Sequence, residues 1–166
     1  MTQNNPVTPH TELIDGAAYD LELPTRIHQE ICFSLSRKIA DFIDSSNSSG
    51  KVYPAPFAVF LGADNYVEPD ISVICDKQKL TDQGCSGAPD WIIEVTSPTT
   101  QRMDYFVKLF KYRIAGVREY WIVNPMKQTV QVYSFVNNGD SKQFCFDDTI
   151  NTSIYENLLI RIADFL

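Results

Sequence analysis

Between Thr25 and about Asp44, apolar residues recur every three or four positions, at Ile27, Ile31, Leu35, Ile39 and Phe42 or Ile43, and predict an amphipathic helix. Thr25 is placed to cap its start, and the run SSNSSG stops it. In DWIIEVTS apolar residues sit at successive positions, as in a strand covered on both faces. From Thr100 to Ala115 helical spacing returns, and Gly116 ends it at the C′ position. Two stripes run along this second helix. Met103, Val107, Phe110 and Ile114 form the apolar one, expected to face the core. Asp104, Lys108, Lys111 and Ala115 form the other, rotated toward the edge of the core. Lys108 is thereby placed on a semi-buried flank from which its long stem reaches a strand end, and its truncation is expected to leave the core intact.

The remaining pattern is mostly strand. ELIDGAAYDLEL reads as a hairpin turning at Asp15-Gly16. KVYPAPFAVFL and YVEPDISVICD each read as one strand, the prolines of the first marking an edge or a bulge. DKQKLTDQGCSGAP reads as loop, REYWIVN and TVQVYSFV as strands joined by PMKQ, NNGDSK as a turn, and KQFCFDD as a further short strand. The end, ENLLIRIADFL, fits a strand or a short amphipathic helix equally. Residues 1–10, polar with two prolines, read as a flexible tail ahead of a single domain over 11–166. The expected fold class is α/β (α+β), a central mixed β-sheet flanked by helices, with a strand–helix–strand crossover between residues 90 and 123.

The formal net charge of -7 argues against a protein that coats nucleic acid nonspecifically. It does not exclude an enzyme whose site has a local field of its own, with bound cations and a basic strip. Arg102, Lys108, Lys111, Arg113 and Arg118 form such a cluster, and Arg102 and Lys111 are its candidate phosphate contacts. Cys32, Cys75, Cys85 and Cys145 are scattered, without zinc spacing, and read as reduced thiols of a cytoplasmic protein. The first residues lack the pattern of a signal peptide, and no apolar run is long enough to span a bilayer, so no membrane partner is expected.

Three carboxylates stand out by context. Asp70 follows Glu68-Pro69 at the mouth of an apolar strand, Glu94 interrupts the most apolar strand, and Glu12 opens the first hairpin. Mg2+ is commonly held by one or two carboxylates together with water and substrate phosphate, and Asp70 and Glu94 on neighbouring strands supply such a pair. Lys108 would orient or activate the attacking water and offset phosphate charge. Each residue taken singly also has a structural reading. Asp104 and Lys108 are an i,i+4 pair of the kind that decorates helix surfaces, at about 0.2–0.5 kcal/mol. Asp70 after a proline is a turn residue, His28 a packing or hydrogen-bonding residue rather than a ligand, and Tyr120 and Trp121 core.

The segment EPDISVICD…GAPDWIIEVTSPTTQRMDYFVKLFKYRIAGVREYWIVNP…TVQVYSF resembles the Uma-two family of bacterial proteins described as restriction endonucleases, abundant in cyanobacteria. ELIDGAAYDL and RIHQEI are similar to that family's opening. The resemblance implies the PD-(D/E)XK nuclease superfamily, a restriction endonuclease-like fold and a site that cleaves phosphodiester bonds with Mg2+ or Mn2+. Pro69-Asp70 matches the first element, and Glu94-Val95-Thr96 the second with threonine in the lysine position. Lys108 on the next helix matches a relocated lysine, and Glu12 the family's N-terminal acidic residue. Catalysis is therefore expected from Glu12, Asp70, Glu94 and Lys108, with Asp70 and Glu94 on the metal and DNA as substrate. The chain departs from the pattern at Thr11, Ala17 and Asn124. A non-catalytic module that keeps the fold to bind nucleic acid or a protein partner is the alternative. A homodimer is also considered, with EYWIVNP and VQVYSFV as its surface.

Overall fold

The computed structural model describes residues 10–136 and 139–166. Apart from His10, the expected N-terminal tail lies outside the described residues, as do two residues of the NNGDSK turn, 137 and 138. The chain opens as the expected hairpin, β1 (Thr11–Ile14) and β2 (Ala17–Asp20), with Asp15 and Gly16 both at positive φ in the turn. Helix α1 (Arg26–Ser46) follows. Thr25 is extended and its hydroxyl accepts the backbone N–H of His28, satisfying one of the free donors of the first turn. Asn47 closes the other end in the left-handed region. Replacing Thr25 with alanine is expected to lower stability by about 1 kcal/mol, read as a shift in the urea midpoint with unchanged slope.

Two predicted strands are each divided between sheets. KVYPAPFAVFL breaks at Ala55-Pro56 into β3 (Lys51–Pro54) and β4 (Val59–Gly62). YVEPDISVICD breaks at Glu68-Pro69 into β5 (Asn65–Val67) and β6 (Ile71–Ile74). Pro54 still closes β3, on the edge of its sheet, but Pro56 and Pro69 offer no N–H to a ladder, and the chain changes sheet at each of them. Asp70 therefore sits at the seam between the sheets. The stretch expected as loop holds a 3-10 turn (Lys77–Lys79) and the short strands β7 (Leu80–Thr81) and β8 (Gly84–Ser86). Next come β9 (Trp91–Val95), a π-helical turn (Met103–Lys108) running into α2 (Leu109–Ala115), β10 (Glu119–Asn124), β11 (Thr129–Ser134) and β12 (Ser141–Cys145). The end takes both predicted forms: β13 (Ile150–Asn151) pairs with β14 (Leu159–Ile160), and a 3-10 turn covers Ile162–Phe165.

The central sheet runs β12-β11-β10-β9-β6-β3 and is mixed, with β9 and β10 parallel across the helical crossover. A second six-stranded sheet runs β2-β1-β5-β4-β8-β7. The fold is α+β, and α1 and α2 pack on opposite faces of the central sheet. Period-two alternation in β9 sends Trp91, Ile93 and Val95 to the α1 side, with Trp121 and Val123 of β10. Ile92 faces the α2 side with Tyr112, Tyr120 and Ile122. All six residues of β10 are buried, so EYWIVNP offers no free face for a second copy; the apolar run marks an interior strand.

Among the described residues, no helix is long and apolar enough to cross a membrane.

Candidate active site

Glu94 shares its face of β9 with Ile92, and is only 4% exposed. Its Oε1 accepts hydrogen bonds from Lys108 Nζ at 3.1 Å and from the Tyr112 hydroxyl at 2.7 Å. Its Oε2 accepts the backbone N–H of Asp70 at 3.2 Å. Asp70 returns the contact, its Oδ2 accepting the Val95 N–H at 2.7 Å. The two carboxylates are thus interlocked across the ends of β6 and β9. Asp70 Oδ1 lies 3.1 Å from His28 Nε2 on α1.

Lys108 joins the two sheets. Its Nζ donates to Glu12 of β1 at 3.0 Å as well as to Glu94 of β9, and lies 3.8 Å from Asp104 one turn earlier. Glu12 is held in place by the Glu68 N–H, which reaches Oε1 at 3.0 Å. Thr96, in the position of the motif lysine, is buried and bonds the Thr100 hydroxyl at 3.1 Å. Glu12, Asp70, Glu94 and Lys108 therefore come together. Arg102 and Arg113 stay exposed, while Lys111 pairs with Asp15 in the hairpin turn and Arg118 with Asp90.

The second helix corrects the expected orientation. Asp104, Lys108 and Tyr112 are buried, whereas Phe110 and Ile114 of the apolar stripe are 60% and 63% exposed. Lys108 sits in the middle of the buried face and not on its flank. The helix turns its polar side inward because that side meets Glu12 and Glu94. Nor are Asp104 and Lys108 surface decoration; Asp104 is 2% exposed and lies 3.8 Å from the Lys108 ammonium. Asp104, Tyr112 and His28 are site residues that the hydrophobic pattern conceals. The available signal was the strict four-residue spacing of Asp104, Lys108 and Tyr112.

Electrostatics follow from this crowding. Burial lifts the Glu94 pKa well above the usual carboxylate range; Lys108 opposes the rise, and Asp70, Asp104 and Glu12 add to it. Asp104 is raised by burial too, against the pull of Lys108 and the threonine hydroxyls. Burial alone would lower Lys108, but Glu94, Glu12 and Asp104 outweigh it, so the side chain stays an ammonium. Tyr112 is raised by burial and then by Glu94, which keeps its hydroxyl a donor. Replacing Tyr112 with phenylalanine removes a bond to a buried charge, and is expected to cost about 1.5–3 kcal/mol in urea unfolding.

Glu12, Glu94 and Asp104 together face one permanent cation, Lys108, and Asp70 is locked to Glu94 beside them. Such a surplus of oxygen donors fits a hard divalent cation, with Asp70 and Glu94 as the pair to hold it.

The sequence matches the model of the Uma2 family, "putative restriction endonuclease", over residues 3–159. It is 25% identical over 135 residues to the uncharacterized protein slr1290 of Synechocystis, a match covering 78% of this chain and 68% of that one. The crystal structure of "a putative nuclease belonging to DUF820" from Anabaena variabilis is similar, with a TM-score of 0.79 and 22% identity over 95% of this chain and 89% of that one. That likeness is one of fold. The family match, by contrast, spans every element that carries the carboxylates and the lysine, and on it the chain belongs to the Uma2 family of putative restriction endonucleases.

Proposed function

We propose that the protein is a divalent-cation-dependent endonuclease that hydrolyses phosphodiester bonds in DNA through a PD-(D/E)XK type of site. The observation that carries this reading is the interlocked pair Asp70 and Glu94 with the Lys108 ammonium 3.1 Å from Glu94. Asp70 and Glu94 would hold Mg2+ or Mn2+. When bound, the ion supplies Lewis-acid polarisation of a phosphoryl oxygen and a lowered pKa for water. Lys108 donates hydrogen bonds toward the attacking water and the charge that develops on phosphate, from a position fixed before substrate arrives. Glu12 and Asp104 hold that ammonium in place, and Tyr112 fixes the Glu94 carboxylate. Arg102 is free to meet a flanking phosphate; Lys111 reaches one on leaving Asp15.

Incubation with supercoiled plasmid, linear duplex, single strands and RNA tests the reading. Nicking or linearisation of DNA with Mn2+ or Mg2+, and none with EDTA, is the expected result. A second reading is a non-catalytic module that binds a protein. It is favoured by the exposed row Phe106, Phe110 and Ile114 on the outer side of the second helix. Absence of cleavage on every substrate, with a partner retained on wild type and lost from Phe106→Ser/Phe110→Ser, would select it.

A further inference from the structure

We infer that His28 is a donor to the cation beside Asp70, through Nε2, and that it biases the site toward a divalent transition ion over Mg2+; the inference rests on the cation site proposed above. His28 stands in the first turn of α1, where Thr25 caps its own backbone N–H. Its Nε2 lies 3.1 Å from Asp70 Oδ1. That contact is a hydrogen-bonded pair, and its two atoms are close enough to serve one ion together. The His28 and Asp70 side chains are 16% and 19% exposed, which leaves the pair more open to solvent than the Lys108 cluster beside it.

The far side of the ring is also provided for. Nδ1 lies 3.6 Å from Cys32 Sγ, one helical turn on. An imidazole that ligates through Nε2 carries its proton on Nδ1 and needs an acceptor there, and the sulfur fills that place. Cys32, His28 and Asp70 in line also have the outline of a nucleophile, base and orienting acid. That alternative fails on the thiol: it is 7% exposed, and burial with the nearby Asp70 and Glu94 pushes its ionisation far up. Cys32 faces Nδ1 while Asp70 faces Nε2, so the sulfur orients the ring and does not share the ion. A nitrogen donor matters for selectivity, because Mg2+ favours oxygen and imidazole favours transition ions.

The test is pulsed electron paramagnetic resonance of Mn2+ bound to the metal-free full chain, with calorimetric titration of Mn2+ and Mg2+. The expected spectrum shows 14N modulation from a coordinated imidazole. It persists in His10→Gln, which removes the chain's other histidine. It is lost in His28→Asn, with Mn2+ affinity reduced about 10–100-fold and Mg2+ affinity changed less than about threefold. Mn2+ bound without 14N modulation would overturn the inference and leave the cation site standing, and the wild-type spectrum decides this even if the variant misfolds. An equal loss of both ions in folded His28→Asn would also overturn it, reducing His28 to a support for Asp70. Failure of wild type to bind either ion would remove both the inference and the site.

Discussion

Lys108→Ala is expected to destabilise the metal-free protein by about 3–5 kcal/mol, the usual cost of deleting one partner of a buried charged group. The reason is what remains. Glu12, Glu94 and Asp104 are 2–4% exposed, and without the ammonium they face one another across a nearly dry cluster. The variant has one escape, which is to keep protons on the carboxylates. Glu94 and Asp104 are raised even with Lys108 present. In the variant the native state would therefore bind more protons than the unfolded chain once the pH exceeds the ordinary carboxylate range, and by linkage its stability falls as pH rises from there. Urea unfolding at pH 5 and pH 8 should show the larger deficit at pH 8. An equal, small deficit at both values would mean that the carboxylates are solvated and the cluster open.

Glu94→Gln is expected to reduce cation-dependent cleavage by about 10³-fold, the scale on which a positioned charged group at a reacting centre is lost. Shape is conserved, and the amide oxygen can still accept from Lys108 and Tyr112. The other end of the amide becomes a donor facing the Asp70 N–H, a conflict at 3.2 Å that also disturbs Asp70. Single-turnover rates beside circular dichroism separate chemistry from folding. A folded variant that cleaves at the wild-type rate would reduce Glu94 to a buried partner for Lys108.

The parts of the fold that were legible are those where local chemistry and tertiary environment agree. Thr25 caps α1 as expected, and the unbroken apolar run at Trp91–Val95 is a strand covered on both sides. The central mixed sheet read from the pattern is present, but the second six-stranded sheet was not foreseen, because hydrophobic alternation does not say which sheet a strand joins. Pro56 and Pro69 mark two of the places where the chain crosses. In the site, Glu94 betrayed itself as a charge inside an apolar strand. Asp104 did not, because an Asp–Lys pair at i,i+4 looks the same on a solvated surface as in a buried cluster. His28 was hidden for a similar reason: only the packing of α1 against β6 and β9 brings its ring to Asp70. The second helix misled outright. Its inward face is polar because the site is polar, so the apolar stripe is shifted to the flank, with Met103 and Val107 half-buried and Phe110 and Ile114 exposed.

The central claim, that Asp70 and Glu94 form a cation site, is tested most directly by anomalous diffraction from crystals soaked in Mn2+. The predicted result is a difference peak within coordination distance of both carboxylates, absent from crystals of Asp70→Asn treated alike. Well-ordered wild-type crystals with Mn2+ elsewhere on the molecule, and none between these two residues, would contradict it.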